Sequence, residues 1–560
     1  MKIFTNIVSS LEKCRHEKMP CDYPRLASIS GLGGERINFQ LILGFEDVTA
    51  FNGSFSLRER TDLKGFGMRQ VKYVYTSFDT YSDDPSRGTA SFLGHPDKIY
   101  PDILEKMPEG NILRAGEDLI SIWCDVEIPR GCGNEKHNIS FDVVYKDEVI
   151  ASDSIEVEFI GADLPEAEHI CTNWFHVDCL ADYYNVPIYS ERHFEIIGNY
   201  IECAVKNGIN TILTPVLTPP LDTEIGTYRK TVQLVDITLE NGEYSFGFEL
   251  LDKYISLCRE KGVKYFEISH IFSQWGAKYA PKVEATVIEN GKKEKKRIFG
   301  WDTPGTEGEY PRFLGYFIPA LRAHLDELGI TENCIFHVSD EPTLETLEGY
   351  KAAKNVVKGL MEGLKTVDAC SHKEFFELGL METPVPKGKN MDDFLPLDIP
   401  ERWTYYCCSW EDHAPNRMIC YPSSRNRALG ALMYKYNVKG FLQWAFNFYY
   451  DQGSKNLINP FTDMSGGSWV NSGDPFVVYP GCNGKPIESL RLAVFSEVFY
   501  DIRAMKKCEE LCGREAVLAL IDKNGSIGFN NYPFDNEYYI LLRASINEKI
   551  KDALAKKEDL

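Results

Sequence analysis

The chain has 560 residues, 43% hydrophobic and 26% charged, a globular mixture too long for one small core, so two or three domains are expected. Its formal net charge is −22, which repels polyanions and argues against nucleic acid or an anionic membrane as a partner. No apolar run is long enough to span a bilayer, MKIFTNIVSSLEKCRH lacks the apolar core of a secretory leader, and the 16 cysteines show no framework spacing; reduced thiols and a cytoplasmic location are expected.

Residues from about 25 to 160 read as strands. Ile37, Phe39, Leu41 and Leu43 alternate at period two, as do Ile122, Cys124, Val126 and Ile128, and then Ile155, Val157 and Phe159. No long helical pattern intervenes, so residues 1–163 are expected to form a β-sandwich ending at Ala162-Asp163-Leu164-Pro165. Gly31-Leu32-Gly33-Gly34 lies ahead of a strand and opens no helix, so it is not a phosphate loop.

From residue 164 the pattern becomes short apolar strands alternating with amphipathic helices. Strands are expected at 169–174, 210–216, 264–270, 334–340, 366–370, 403–408, 440–446 and, as the eighth, 476–480. Helical stripes run through Phe194, Ile197, Ile201 and Val205 up to Gly208, and through Leu314, Phe317, Leu321 and Leu325 up to Gly329; a glycine there is a helix stop signal. A third stripe runs Leu490, Val494, Val498, Ile502 and Met505. The expected architecture for 164–507 is a (β/α)8 TIM barrel, with a doubly wound sheet as the competing architecture, and 508–560 is expected to be a mostly helical extension packed on it. The Lys-rich run Gly291–Arg297 reads as a solvated hairpin tip.

In such a barrel, chemistry gathers where strands end. The fourth expected strand ends in FHVSDEP, so Asp340 and Glu341 leave the core together, and Pro342 is expected to hold Glu341 in extended backbone. Mutual repulsion and partial burial should raise at least one of the two pKa values, as a general acid near neutral pH requires. Adjacent carboxylates cannot easily flank one glycosidic bond. One can protonate the leaving oxygen while its neighbour holds the N–H of a 2-acetamido group, whose oxygen then attacks the anomeric carbon. Other strand ends offer aromatic and polar groups for a sugar: Trp174 and His176 with Asp178, His270 and Trp275, Tyr405 and Tyr406 followed by Trp410, and Trp444 and Asn447.

At this point the chain resembles glycoside hydrolase family 123, the β-N-acetylgalactosaminidases. The likeness rests on GERINFQL (34–41), the strand–SDEP–helix segment, TVDACSHKEFFELGL (366–380), WTYYCC (403–408), NRALGALMYKYNVKGFLQWAFN (426–447), VYPG (478–481) and SLRL (489–492). It implies a β-sandwich followed by a (β/α)8 barrel. It also implies retaining exo-hydrolysis of terminal β-GalNAc from oligosaccharides through an oxazoline, without metal or organic cofactor. By this resemblance Asp340 orients the acetamido group and Glu341 is acid, then base.

Two rival readings stand beside it. One is a conventional retaining glycosidase on another sugar, including β-GlcNAc, with Glu267 or Asp412 as nucleophile. The other is a non-catalytic glycan-binding protein with a barrel cleft. A metal centre is not expected: neither Cys407, Cys408 and His413 nor Cys508 and Cys512 make a four-ligand pattern.

Overall fold

A computed structural model describes residues 2–46, 54–76, 97–116, 118–223, 229–407 and 413–558. The chain divides into two units, one of residues 1–168, 410–437 and 487–560, the other of 169–409 and 438–486.

In the first unit the period-two segments form two five-stranded sheets. Arg36–Glu46 pairs antiparallel with Ile120–Glu127, placing Phe39 opposite Cys124 and Leu41 opposite Ile122. Their inward faces share one apolar core with Phe141, Val143, Ile155 and Val157 of the other sheet. This is the reward for strict alternation: each strand buries every second side chain against the facing sheet. The strand Glu148–Asp163 ends at the boundary read from the sequence.

The same unit contains the helices Ser423–Lys435, Leu490–Cys512, Arg514–Ile521 and Asn536–Glu558. The expected boundary between residues 507 and 508 falls inside the continuous helix Leu490–Cys512. Two buried ion networks cross this unit. Arg491 clasps Asp102 through two bonds of 2.9 Å. Arg543 reaches Glu35 at 2.6 Å and Asp501 at 3.1 Å, while Arg427 bonds Asp501 and Glu497 at 2.8 and 2.6 Å. A cavity of about 190 Å³ beside this network is lined by Glu35, Arg36, Arg427, Glu497, Asp501 and Arg543. None of the sequence-predicted site residues borders it.

The second unit is built on parallel strands: β1 (Ile170–Asn173), β2 (Thr211–Thr214), β3 (Tyr265–Ile268), β4 (Cys334–Ile335), β5 (Asp368–Ala369), β6 (Pro384–Val385), β7 (Arg402–Tyr405) and β8 (Val438–Gln443). Six of them form one sheet in the order β4-β3-β2-β1-β8-β7, and β5 pairs with β6. Isolated parallel bridges join Phe336 to Thr366 and Lys387 to Tyr405. The helices between strands follow their stripes. Glu191–Lys206 is capped by Ser190, whose Oγ accepts from the His193 N–H at 3.3 Å, and Glu309–Glu327 ends before Gly329 at φ +65°.

Two sequence expectations change here. Residues 478–480 belong to a separate two-stranded sheet, and the parallel array takes Pro384–Val385 instead of the expected 476–480. The fourth strand stops at Ile335 and does not run to Asp340. Beyond it, the backbone is held irregularly. The N–H groups of Ile271 and Phe272 donate to the carbonyls of His337 and Val338, and the Asp368 carboxylate takes the N–H of Val338 at 2.9 Å.

A four-stranded insertion carries Gly291–Arg297. It turns at Asn290-Gly291, φ +51° and +75°, a two-residue hairpin loop that leaves Lys292–Arg297 exposed. The hairpin reading therefore stands.

Candidate active site

Asp340 and Glu341 lie on the irregular segment that follows β4, and their environments differ sharply. Asp340 is 3% exposed. Gln274 Nε2 donates to its Oδ2 at 2.6 Å, and its carbonyl accepts the Trp275 N–H at 2.8 Å. Burial, and then the neighbouring Glu341, push the Asp340 carboxyl well above the usual carboxylate range. The Glu341 side chain is 32% exposed. Tyr405, at the end of β7, donates its hydroxyl to Glu341 Oε1, and Lys387 Nζ stands 3.4 Å from the same oxygen. Burial and Glu341 raise the Tyr405 phenol well above its ordinary value, so it remains a donor.

The sequence reading placed Glu341 in extended backbone. Its φ is +44°, because its N–H donates to Ala369 O of β5 at 3.0 Å and the chain must bend to make that bond. Asp222 at φ +46° and Trp275 at φ +57° share this left-handed backbone. Each such residue costs about 1–3 kcal/mol, and such positions collect at functional sites.

Beneath the pair lies a buried polar layer. Glu267 of β3, 1% exposed, accepts from the Thr172 hydroxyl, from Trp174 Nε1 at 2.8 Å and from His337 Nε2 at 2.7 Å. His337 Nδ1 is 3.6 Å from Asp368, whose other oxygen accepts from Tyr350 at 2.5 Å. Burial alone would lower the His337 pKa; the carboxylates of Asp368, close by, and Glu267, hydrogen-bonded to it, outweigh that and raise it to about 9. His270 stacks on His337 at 4.2 Å, and Trp174 meets His270 edge-on at 5.2 Å.

Of the residues expected to hold a sugar, Trp275 and Tyr405 meet the acid pair. Trp275 is 56% exposed beside Asp340. Trp444 is 8% exposed, its Nε1 donating to Asp474 at 2.6 Å. The others are buried and make their contacts within the protein. Trp174 and His270 belong to the layer below, at 2% and 0% exposure. Tyr406 packs edge-on against Phe441 at 4.8 Å. His176 and Asn447 clamp one another: the His176 N–H donates to Asn447 Oδ1, and Asn447 Nδ2 donates to His176 O, both at 3.0 Å. The His176 ring is also committed, accepting from Arg229 at 2.7 Å and donating to Trp444 O at 3.2 Å. Asp178 is paired with Arg229 at 2.5 Å. Trp410 and Asp412 lie outside the described residues.

Three residues at the site were missed by sequence reasoning. Gln274 sits past the end of β3 and carries no charge. Lys387 follows a strand of two residues framed by prolines, and Asp222 lies in a long connection without periodicity. Among the described residues, the one group of His, Cys, Asp and Glu near enough to share a metal ion is His16, Glu17 and Asp97, in the first unit.

Chemically, the arrangement offers two adjacent acids, one of them accessible and oriented by a phenol and an ammonium, the other sunk and fixed by an amide. Glu267 is closed on all sides by its own donors and cannot reach a substrate as a nucleophile.

Comparison with known proteins gives the following. The family model described as Glycoside hydrolase 123, catalytic domain, matches residues 174–508. Among solved structures, a family 123 glycoside hydrolase from Clostridium perfringens, studied for glycolipid glycan hydrolysis, superposes with a TM-score of 0.70 at 16% identity, covering 99% of this chain and 98% of that one. A Bacteroides vulgatus protein described as a candidate glycoside hydrolase has 10% identity over 78% of this chain and 75% of its own, with a TM-score of 0.29 that carries no argument about fold. No curated protein matches.

Proposed function

The chain belongs to the glycoside hydrolase 123 family, and from that membership we propose that it is a retaining exo-β-N-acetylgalactosaminidase working by substrate assistance. The observation that carries this reading is the contrast within one dipeptide: Asp340 buried and bonded to Gln274, Glu341 accessible and bonded to Tyr405 and Lys387. We read β1 to β8 as a (β/α)8 barrel behind an N-terminal β-sandwich. The bridges Phe336–Thr366 and Lys387–Tyr405 support closure, because they link β5 and β6 to the outer strands of the parallel sheet. Residues 164–507 are proposed as the catalytic segment.

Burial, and then the neighbouring Glu341, favour the protonated form of Asp340 in the free enzyme. An acetamido N–H donating to Asp340 favours the ionised form there and leaves the proton on Glu341. Glu341 then protonates the glycosidic oxygen as the C1–O bond breaks, and the electron pair leaves with the aglycone. The acetamido oxygen bonds to C1 from the opposite face, giving an oxazolinium ion whose N–H charge Asp340 balances, or the neutral oxazoline once Asp340 takes that proton. In the second half Glu341 removes a proton from water, water attacks C1, and the ring opens with the configuration retained. The relative's description as a glycolipid glycan hydrolase supports a glycan chain as substrate. A nucleophile of the conventional kind would have to be another acid than Glu267.

Aryl β-GalNAc, β-GlcNAc and the matching 2-hydroxy glycoside, assayed side by side with a thiazoline analogue, test the proposal. Turnover is expected with the acetamido sugars alone, with inhibition by the thiazoline. Comparable rates on the 2-hydroxy sugar would sink it. Glu341→Gln should lower kcat at least roughly 10²-fold, the ordinary scale of general acid catalysis.

A further inference from the structure

Asp222 is 7% exposed, and its backbone is fixed at both ends. Its N–H donates to Gln274 Oε1 at 3.0 Å, and its carbonyl accepts from Ser454 Oγ at 2.7 Å. Its φ of +46° is one that only such restraint maintains. The carboxylate itself makes no hydrogen bond to any described residue. Buried carboxylates are normally paired, since burying a charge without a partner is strongly unfavourable. The cation whose field reaches Asp222 is Arg229, and that guanidinium is committed to Asp178 and His176.

The place of this unpaired group is specific. Gln274 binds Asp222 through its oxygen and Asp340 through its nitrogen, so one amide spans the two acids. The charge of Asp222 acts on Asp340, and Glu341 and Asp474 act on Asp222. Asp222 is thereby tied to the acid pair through one side chain.

We propose that Asp222 binds a ring hydroxyl of the 2-acetamido sugar whose amide is held by Asp340, and so sets which sugar the site accepts. The proposal rests on the function given above. A hydroxyl suits this group because it can both donate and accept. Burial, and then Glu341 and Asp474 against the opposing field of Arg229, bring the carboxyl to about 7, so both forms are present near neutral pH and a hydroxyl satisfies either. An anionic partner would meet three acids and be repelled.

The test uses the full chain with nitrophenyl β-GalNAc and its 3-, 4- and 6-deoxy analogues. The unmodified enzyme should lose roughly 10- to 100-fold in kcat/KM at one of these positions, the scale of a hydrogen bond to a charged group. In Asp222→Ala and Asp222→Ser that loss should shrink below about threefold at the same position, with discrimination at the other positions kept. A residue with only a structural role would lower all four substrates equally, and that pattern overturns the proposal. So does an unmodified enzyme that treats all three deoxy sugars within about threefold of the parent, a result that needs no folded variant. Absence of any turnover of 2-acetamido glycosides by the unmodified enzyme is a different failure, that of the parent reading.

Discussion

Burial of Asp340 makes this residue a pH-dependent burden on the fold. A carboxyl whose folded pKa is raised binds its proton more tightly in the native state, so stability is complete below the ordinary carboxylate pKa and falls as pH rises through the folded value. Asp340→Asn should therefore stabilise the protein by at least about 1 kcal/mol at pH 8 and much less at pH 4, while abolishing oxazoline formation; thermal melts at the two pH values decide it. His337 acts in the same direction. Its pKa is raised to about 9, so its contribution is whole below about 6.5 and is lost on passing through 9. His337→Gln should flatten the Tm profile between those values, at a cost on the order of a few kcal/mol at pH 6. A profile that keeps its slope in the variant would remove His337 as the source. The acid pair was legible from the sequence because two carboxylates end an apolar run. Gln274, Lys387 and Asp222 were not, because a single neutral amide, a lysine after a proline and an acid in a loop follow no period that could single them out.

Among the elements, what periodicity could show depended on strand length. β1, β2, β3, β7 and β8 have four to six residues of apolar run and were placed within a few residues of their ends. β4, β5 and β6 have two each; β4 and β5 fall inside the expected 334–340 and 366–370, whereas the apolar FVVYP segment outweighed Pro384–Val385 in a reading by hydrophobicity. The close fit between β7 and β8 gives an element-scale test. A Cβ on Gly440 would lie 1.8 Å from the Trp403 ring, and Trp403 is two residues from Tyr405 on the same strand. Gly440→Ala should destabilise by roughly 1–3 kcal/mol and lower kcat by displacing the phenol that holds Glu341. A variant with unchanged Tm and unchanged kcat would mean that the strand pair relaxes without cost.

For the whole molecule, the division of the chain matters more than its sequence boundaries suggested. The first unit is assembled from three stretches, 1–168, 410–437 and 487–560, and composition along the chain carries no sign of such interleaving. A fragment of residues 164–507 contains parts of that unit without its sheets and without Arg543. It should aggregate or melt without a cooperative transition, whereas the full chain should show one; calorimetry of both forms is the check. No helix among the described residues is long and apolar enough to cross a membrane.

The bond from Arg543 to Glu35 links residues 508 positions apart. On a ribosome adding about 5–20 residues per second, Glu35 emerges roughly 25–100 s before its partner exists. Glu35 must therefore wait, through the synthesis of every residue between them, for the cation that pairs with it, and a nascent chain halted before residue 543 should remain a client of chaperones.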